Sequence, residues 1–207
     1  PCAEMVRFAK NGSDATSAAV RVARAYTKRD HIAVCGYAGW HDWYIGSTSR
    51  DLGVPNSVKK LTHKFPYNDI DALKNLLESK KDKFAAVIME PMNIYWPKKG
   101  YLKSVQNLAR SHGALFILDE TITGFRFNLS GAQKTFNVIP DLATFGKGIA
   151  NGFPLSALVG KKKYMTLVEK IFFSGTFGGE TASIAAALAV IDKYKKYNVI
   201  SKLELQG

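Results

Sequence analysis

The chain of 207 residues, 46% hydrophobic and 22% charged, can bury a sizeable core as one large domain or two small ones. No segment reads as a signal peptide, and no uninterrupted apolar run is long enough to span a bilayer. The net charge of +12 raises nucleic-acid binding, but much of the surplus sits in lysine clusters such as Lys80-Lys81-Asp82-Lys83 and Lys161-Lys162-Lys163, at predicted loops and helix ends without interleaved aromatics. A solvated lysine-rich surface fits that pattern better. Cys2 and Cys35 form no disulfide framework, and His31, His41, His63 and His112 show no ligand spacing. The expectations are a cytoplasmic protein with no metal, no nucleic-acid partner and no membrane association.

Met5–Ala9 reads as a strand, and a core strand at that. Asn11-Gly12-Ser13-Asp14-Ala15 joins it to a helix over Ser13–Lys28, which has many alanines and apolar residues at helical spacing. Two readings of the junction stay open. Its free N–H groups, Gly12 and the Ser13 hydroxyl suit a phosphate, and Ser13 or Asn11 equally suits a helix cap.

His31–Gly36 is the next strand, and a Gly/Trp-rich loop, Tyr37–Ser49, follows. Tyr37 could stack on a planar heteroaromatic ring, with Gly39 leaving room; Trp40 and Trp43 read as covers for the sheet edge. Gly53-Val54-Pro55-Asn56 reads as a surface loop and Leu61–Phe65 as a short strand. Asp69–Lys80 is a helix that Asn68 or Asp69 can cap.

Phe84–Met89 is continuously apolar, as buried parallel strands tend to be. A helix over Leu102–His112 stops at Gly113. Ala114–Leu118 is a further buried strand, and Asp119 follows it directly. A carboxylate there can pair with a protonated pyridine nitrogen, and left alone in an apolar setting it would shift its pKa. Glu120 reads as a cap for the Thr121 turn, and Thr121 or a neighbour could press on a ring face.

Asp141–Phe145 is a strand that delivers Gly146-Lys147-Gly148. A lysine presented on bare backbone, and partly desolvated, can attack a carbonyl and form a Schiff base. Leu155–Val159 follows a Gly/Pro turn and could run antiparallel. Lys162–Glu169 and Thr181–Tyr194 complete the pattern as helices. Gly175-Thr176-Phe177-Gly178-Gly179-Glu180, before the last of them, is either a phosphate-contacting loop or a plain helix entry. The alternation predicts a single α/β domain with a mainly parallel sheet, and ligands of such sheets sit at the carboxyl ends of the strands. The start at Pro1, directly before a strand, reads as the beginning of an internal piece of a longer protein.

Together these segments resemble the class III pyridoxal phosphate (PLP)-dependent aminotransferases of fold type I, above all the branch around glutamate-1-semialdehyde 2,1-aminomutase. Asn11-Gly12-Ser13-Asp14-Ala15 is similar to the family's phosphate loop. Tyr37-Ala38-Gly39 is similar to the segment whose aromatic stacks on PLP. Asp119-Glu120-Thr121-Ile122-Thr123-Gly124-Phe125-Arg126 is similar to the run that holds the pyridinium nitrogen, and Pro140 to Lys147 to the Schiff-base lysine signature. Ala38, Thr121, Met92-Asn93-Ile94-Tyr95 and Gly178-Gly179-Glu180-Thr181 depart from the family's commoner residues.

The resemblance implies a large PLP-binding domain over 1–207, with an N-terminal segment and a C-terminal small domain outside it. As an isolated piece it is expected to bind PLP weakly and turn over poorly. Lys147 and Asp119 are the implied catalytic residues. Gly12, Ser13, Asp14, Tyr37, Asp119, Thr121, Lys147 and, from a neighbouring subunit of a homodimer, Thr176 are the implied cofactor contacts. The implied activity moves an amino group between a small-molecule amine and a carbonyl acceptor through a Lys147 Schiff base. The alternatives are the intramolecular transfer of an aminomutase and a non-catalytic PLP-binding fragment.

Overall fold

Seven apolar segments of the chain pair into one sheet, and the computed structural model describes residues 1–206 of it and its helices. In chain order the elements are β1 (Met5–Ala9), α1 (Gly12–Thr27), β2 (His31–Cys35), α2 (Asp42–Ile45), α3 (Asn56–Lys59), β3 (Thr62–Lys64), α4 (Ile70–Ser79) and β4 (Phe84–Met89). There follow α5 (Tyr101–Ser111), β5 (Leu115–Glu120), α6 (Ala132–Thr135), β6 (Leu142–Phe145), β7 (Ser156–Gly160), α7 (Lys162–Met165), α8 (Thr181–Tyr197) and α9 (Val199–Gln206). The strand order is β1-β7-β6-β5-β4-β2-β3, and only β7 runs against its neighbours. The expected α/β architecture is present, including the reversed strand near Leu155–Val159.

Both faces of the sheet are covered, which explains the unbroken apolar runs of β4 and β5. On β5, Leu115 and Ile117 face a core formed with α1, whereas Phe116 and Leu118 face one formed with α4 and α5. The buried side of α1 is mostly Ala15, Ala18, Ala19, Val20, Val22 and Ala23, so the helix lies close to the sheet. Asp69 caps α4, its side chain accepting from Ala72 N at 2.8 Å.

Four expectations need correction. β1 is an edge strand and not a core strand, with Val6 49% exposed; it pairs on one side only, with β7. The stretch 37–49 contains the single turn α2, and Asn56, expected in a loop, starts the single turn α3. Lys162–Glu169 is one α-turn followed by a 3-10 turn and not one continuous helix. Glu120 is not simply a cap for the Thr121 turn, where its side chain takes only the Thr123 hydroxyl, at 3.4 Å. Its fully buried carboxylate also accepts from Ala132 N, from Gln133 N at 3.3 Å and from Gln133 Nε2 at 2.8 Å, so it ties α6 to the sheet.

Because β1, β2, β4, β5 and β6 point the same way, their carboxyl ends open on one edge. The opposite edge is fastened by Asp141, 2% exposed, at the start of β6. Its Oδ2 accepts from Phe116 N at 2.9 Å, and its Oδ1 from Arg110 Nη2 at 3.0 Å. Removing it leaves the buried Phe116 N–H without its acceptor, while the exposed Arg110 guanidinium keeps its bond to Ile139 O at 2.9 Å. Asp141→Ala is expected to cost about 2 kcal/mol in urea denaturation. Asp141→Asn, which keeps an acceptor for Phe116 N–H, should cost less than half of that.

Candidate active site

A cleft of ≈ 300 Å³ opens at the carboxyl edge, and it collects Gly12, Ser13, Tyr37, Asp119, Thr121 and Lys147 from four separate loops or strand ends. Six of the eight residues singled out from sequence therefore share one space. The other two do not. Asp14 turns away and accepts from Asn11 N at 2.8 Å and Lys10 N at 3.3 Å, so it fixes the loop rather than facing the cleft. Thr176 is exposed and does not line the cleft.

The loop after β1 is held tightly. Asn11 is the residue before α1, and its carbonyl accepts from Ser156 Oγ at 2.7 Å. The first turn of a helix leaves its N–H groups without intrahelical acceptors, and here the first-turn residues Gly12 and Ser13 line the cleft. A Cβ on Gly12 would stand 2.8 Å from Thr121 Cγ2, so glycine is what lets the helix approach β5. Gly39 has φ +102°, and a Cβ there would stand 2.6 Å from Ser13 Oγ. That glycine brings the Tyr37 loop onto the start of α1, where Trp40 N donates to Ser13 Oγ at 3.2 Å. Thr16 Oγ1 adds a bond to Ala38 O at 2.9 Å. Tyr37 itself is half-exposed over the cleft and rests edge-on against Tyr44.

Asp119 ends β5 with only 4% of its surface exposed. Its Oδ1 accepts from Thr144 Oγ1 at 2.8 Å and Thr121 N at 3.0 Å, and Oδ2 accepts nothing from the described residues. Burial pushes its carboxyl pKa up; the bonds to Thr121 and Thr144 and the Lys147 charge pull it back down. The Thr121 hydroxyl, buried beside it, also has no partner among the described residues.

Sequence reading left Glu90 without a role. It directly follows the apolar run of β4 as Asp119 follows that of β5, and the signal was the same: an acid closing an apolar run. Glu90 lines the cleft, 4% exposed, and its Oε2 accepts from Tyr37 N at 2.9 Å and Asn93 Nδ2 at 2.7 Å. Its carboxyl is also pushed up by burial, and Asp119 adds to the rise while Lys147 opposes it. Lys10 lines the cleft as well and was equally unassigned.

Lys147 follows β6 with φ +40°, in the left-handed region that L residues adopt at a cost. Its side chain is exposed, against the expectation of an amine already partly desolvated, and no hydrogen bond or ion pair holds it among the described residues. The cleft thus brings together the first turn of α1, an uncommitted carboxylate oxygen and the orphan hydroxyl of Thr121. An aromatic wall and a primary amine complete it. A planar ligand with an anionic group and a basic ring nitrogen fits this donor set, and PLP has both, together with an aldehyde for the amine.

The profile of the family described as "Aminotransferase class-III" matches residues 1–206. The chain is 43% identical to the 3-aminobutyryl-CoA aminotransferase of Cloacimonas acidaminovorans, over 100% of this chain and 51% of that one. It is 45% identical to the glutamate-1-semialdehyde 2,1-aminomutase of Methanosphaera stadtmanae, over 93% of this chain and 49% of the other. Among solved structures it is similar to the FumI protein of Sphingopyxis sp. MTA144 in its PLP internal aldimine form. That likeness has a TM-score of 0.86 and 29% identity, over 93% of this chain and 48% of that one. The chain spans about half the length of the curated relatives it matches.

Two tests follow from the geometry. A carboxyl whose folded pKa lies above its unfolded value (about 3.9 for Asp) favours folding when protonated, and that contribution is lost as pH rises through the folded pKa. Asp119→Asn should therefore raise the denaturation midpoint of the ligand-free protein at pH 8, with the gain shrinking toward pH 4. Lys147→Gly removes the side chain from an unfavourable backbone conformation. It should stabilise the same protein by up to about 1 kcal/mol in thermal or chemical melts.

Proposed function

Because the chain belongs to the class III aminotransferase family, we propose that it serves PLP-dependent amino transfer between a small-molecule amine and a carbonyl acceptor. One observation carries this reading: the Lys147 amine, the free Asp119 oxygen and the open N-terminus of α1 meet in a single cleft. Residues 1–207 are then the large cofactor-binding domain. Bound PLP supplies an electron sink for the carbanion left when a proton leaves the substrate carbon.

The chain's own residues have separable roles. The N–H groups of Gly12 and Ser13 bind the phosphate, in the partial positive field of a 16-residue helix. Asp119 Oδ2 accepts from the protonated ring nitrogen and keeps that proton in place. A cation there offsets the burial that pushes the Asp119 carboxyl up, so ligand and carboxylate stabilise each other. Tyr37 would cover the ring, and Thr121, directly after β5, would bear on it. Glu90, by accepting from Tyr37 N–H, sets where that aromatic wall stands. Lys147 Nζ anchors the cofactor and, as a free amine, carries a proton to and from the substrate carbon.

Thr176 belongs to the same proposal as a contact to a neighbouring subunit's phosphate in a homodimer, and its exposure outside its own cleft is compatible with that. A cytoplasmic setting agrees with two buried free cysteines, Cys2 and Cys35, and among the described residues no helix is long and apolar enough to cross a membrane. Intramolecular transfer by an aminomutase is the second reading, favoured by several relatives of that name, at 45% identity in one case.

The test has a spectroscopic and a kinetic arm. Borohydride should fix PLP onto the peptide that contains Lys147, read as a mass increase that Lys147→Ala abolishes. With amino donors, half-reaction rates should fall by roughly 10²- to 10⁴-fold in Lys147→Ala. Full activity in that variant sinks the assignment. Fixation without any half-reaction identifies a binding domain without catalysis.

A further inference from the structure

Lys10 lies between the end of β1 and the residue that precedes α1. Lys10 lines both the cleft and an adjoining cavity of ≈ 620 Å³. Nζ donates to Glu180 Oε1 at 2.8 Å and to Ser183 Oγ at 3.4 Å. An ammonium has three N–H donors, and the third has no acceptor among the described residues.

Glu180 is itself immobilised, which fixes the lysine. It caps α8, with Oε1 accepting from Ser183 N at 3.0 Å and Oε2 from Ala182 N at 2.9 Å. The hydrogen bond from Lys10, with those from Ser183 and Ala182, holds the Glu180 carboxyl down at about 2. Glu180 therefore stays anionic at any physiological pH. The lysine backbone is restrained as well, because its own N–H donates to Asp14 Oδ2, the group that also holds Asn11. A long flexible cation that would otherwise lose rotamer entropy on binding is thus already ordered at the wall of the cleft.

We propose that Lys10 is a phosphate-binding residue of this cleft, its ammonium set by Glu180 beside the N–H groups of Gly12 and Ser13. The inference deepens the cofactor reading and rests on it for the identity of the phosphate's carrier. Glu180 then acts as a positioning residue, linking the segment that contains Thr176 to the phosphate loop of the same chain.

The purified protein is titrated with PLP, with pyridoxal and with inorganic phosphate, by absorbance for the first two and calorimetry for the third. Lys10→Met should weaken PLP and inorganic phosphate about tenfold while leaving pyridoxal within about twofold. Lys10→Arg should restore most of the loss, and Glu180→Gln, which keeps a capping oxygen, should produce a smaller loss confined to the phosphorylated ligands. Equal losses for PLP and pyridoxal would mean a merely structural lysine and overturn the inference, as would no loss for either. If Lys10→Met does not fold, Lys10→Gln replaces it with the same expectations. Should the wild type bind no PLP, the proposed function fails, and inorganic phosphate decides alone. A tenfold loss in the variant then supports Lys10; an unchanged affinity, or no phosphate binding by the wild type, overturns it.

Discussion

The cleft depends on a carboxylate that is buried before anything cationic covers it. Asp119 sits at the end of β5 with one oxygen committed to Thr144 and Thr121 and the other committed to nothing in the described chain. Desolvation disfavours its charged form, and Glu90 stands under the same constraint one strand away. A cation set against the uncommitted oxygen of Asp119 would offset part of that penalty. The parallel sheet is what makes that possible, because it delivers both acids, Tyr37 and Lys147 from different strands to one edge.

Much of this was legible because buried parallel strands leave a clear trace. Phe84–Met89 and Leu115–Leu118 are apolar without interruption, and an acid closing such a run must have a reason to be there. Lys147 between glycines, and Gly12 before an alanine-rich helix, carried similar information. What could not be read was pairing. Met5–Ala9 looks no different from a central strand, and only its neighbour β7 decides that it lies at the edge. Glu120 was misread for the same reason: its partners Ala132 and Gln133 lie more than ten residues away in sequence. Asp14 illustrates a subtler limit. An acid three residues into a helix serves equally well as a ligand contact or as a tie for the preceding loop, and direction alone separates the two.

Glycine at two positions shows how closely packing and site are joined. Gly12 admits Thr121 and Gly39 admits Ser13, so the start of α1, the loop after β2 and the end of β5 are in mutual contact before any ligand arrives. A cleft assembled this way loses little freedom on binding, which is where affinity for a small rigid ligand is most easily lost. The orphan Thr121 hydroxyl belongs in the same account, since a buried donor without an acceptor costs about 1–3 kcal/mol until something satisfies it.

Lys147 behaves differently from the acids around it. They are buried and wait for a cation; it is exposed and waits for a cover. The sequence pointed to burial by the protein as the source of its reactivity, and the structure leaves the side chain exposed. A flat ligand lying against Tyr37 and Thr121 would itself exclude water from Nζ. Activation would then arise only in the loaded cleft, which ties the reactivity of the amine to the presence of its target. The left-handed backbone at Lys147 fits that division of labour, since it fixes the start of the side chain while leaving its end free to move.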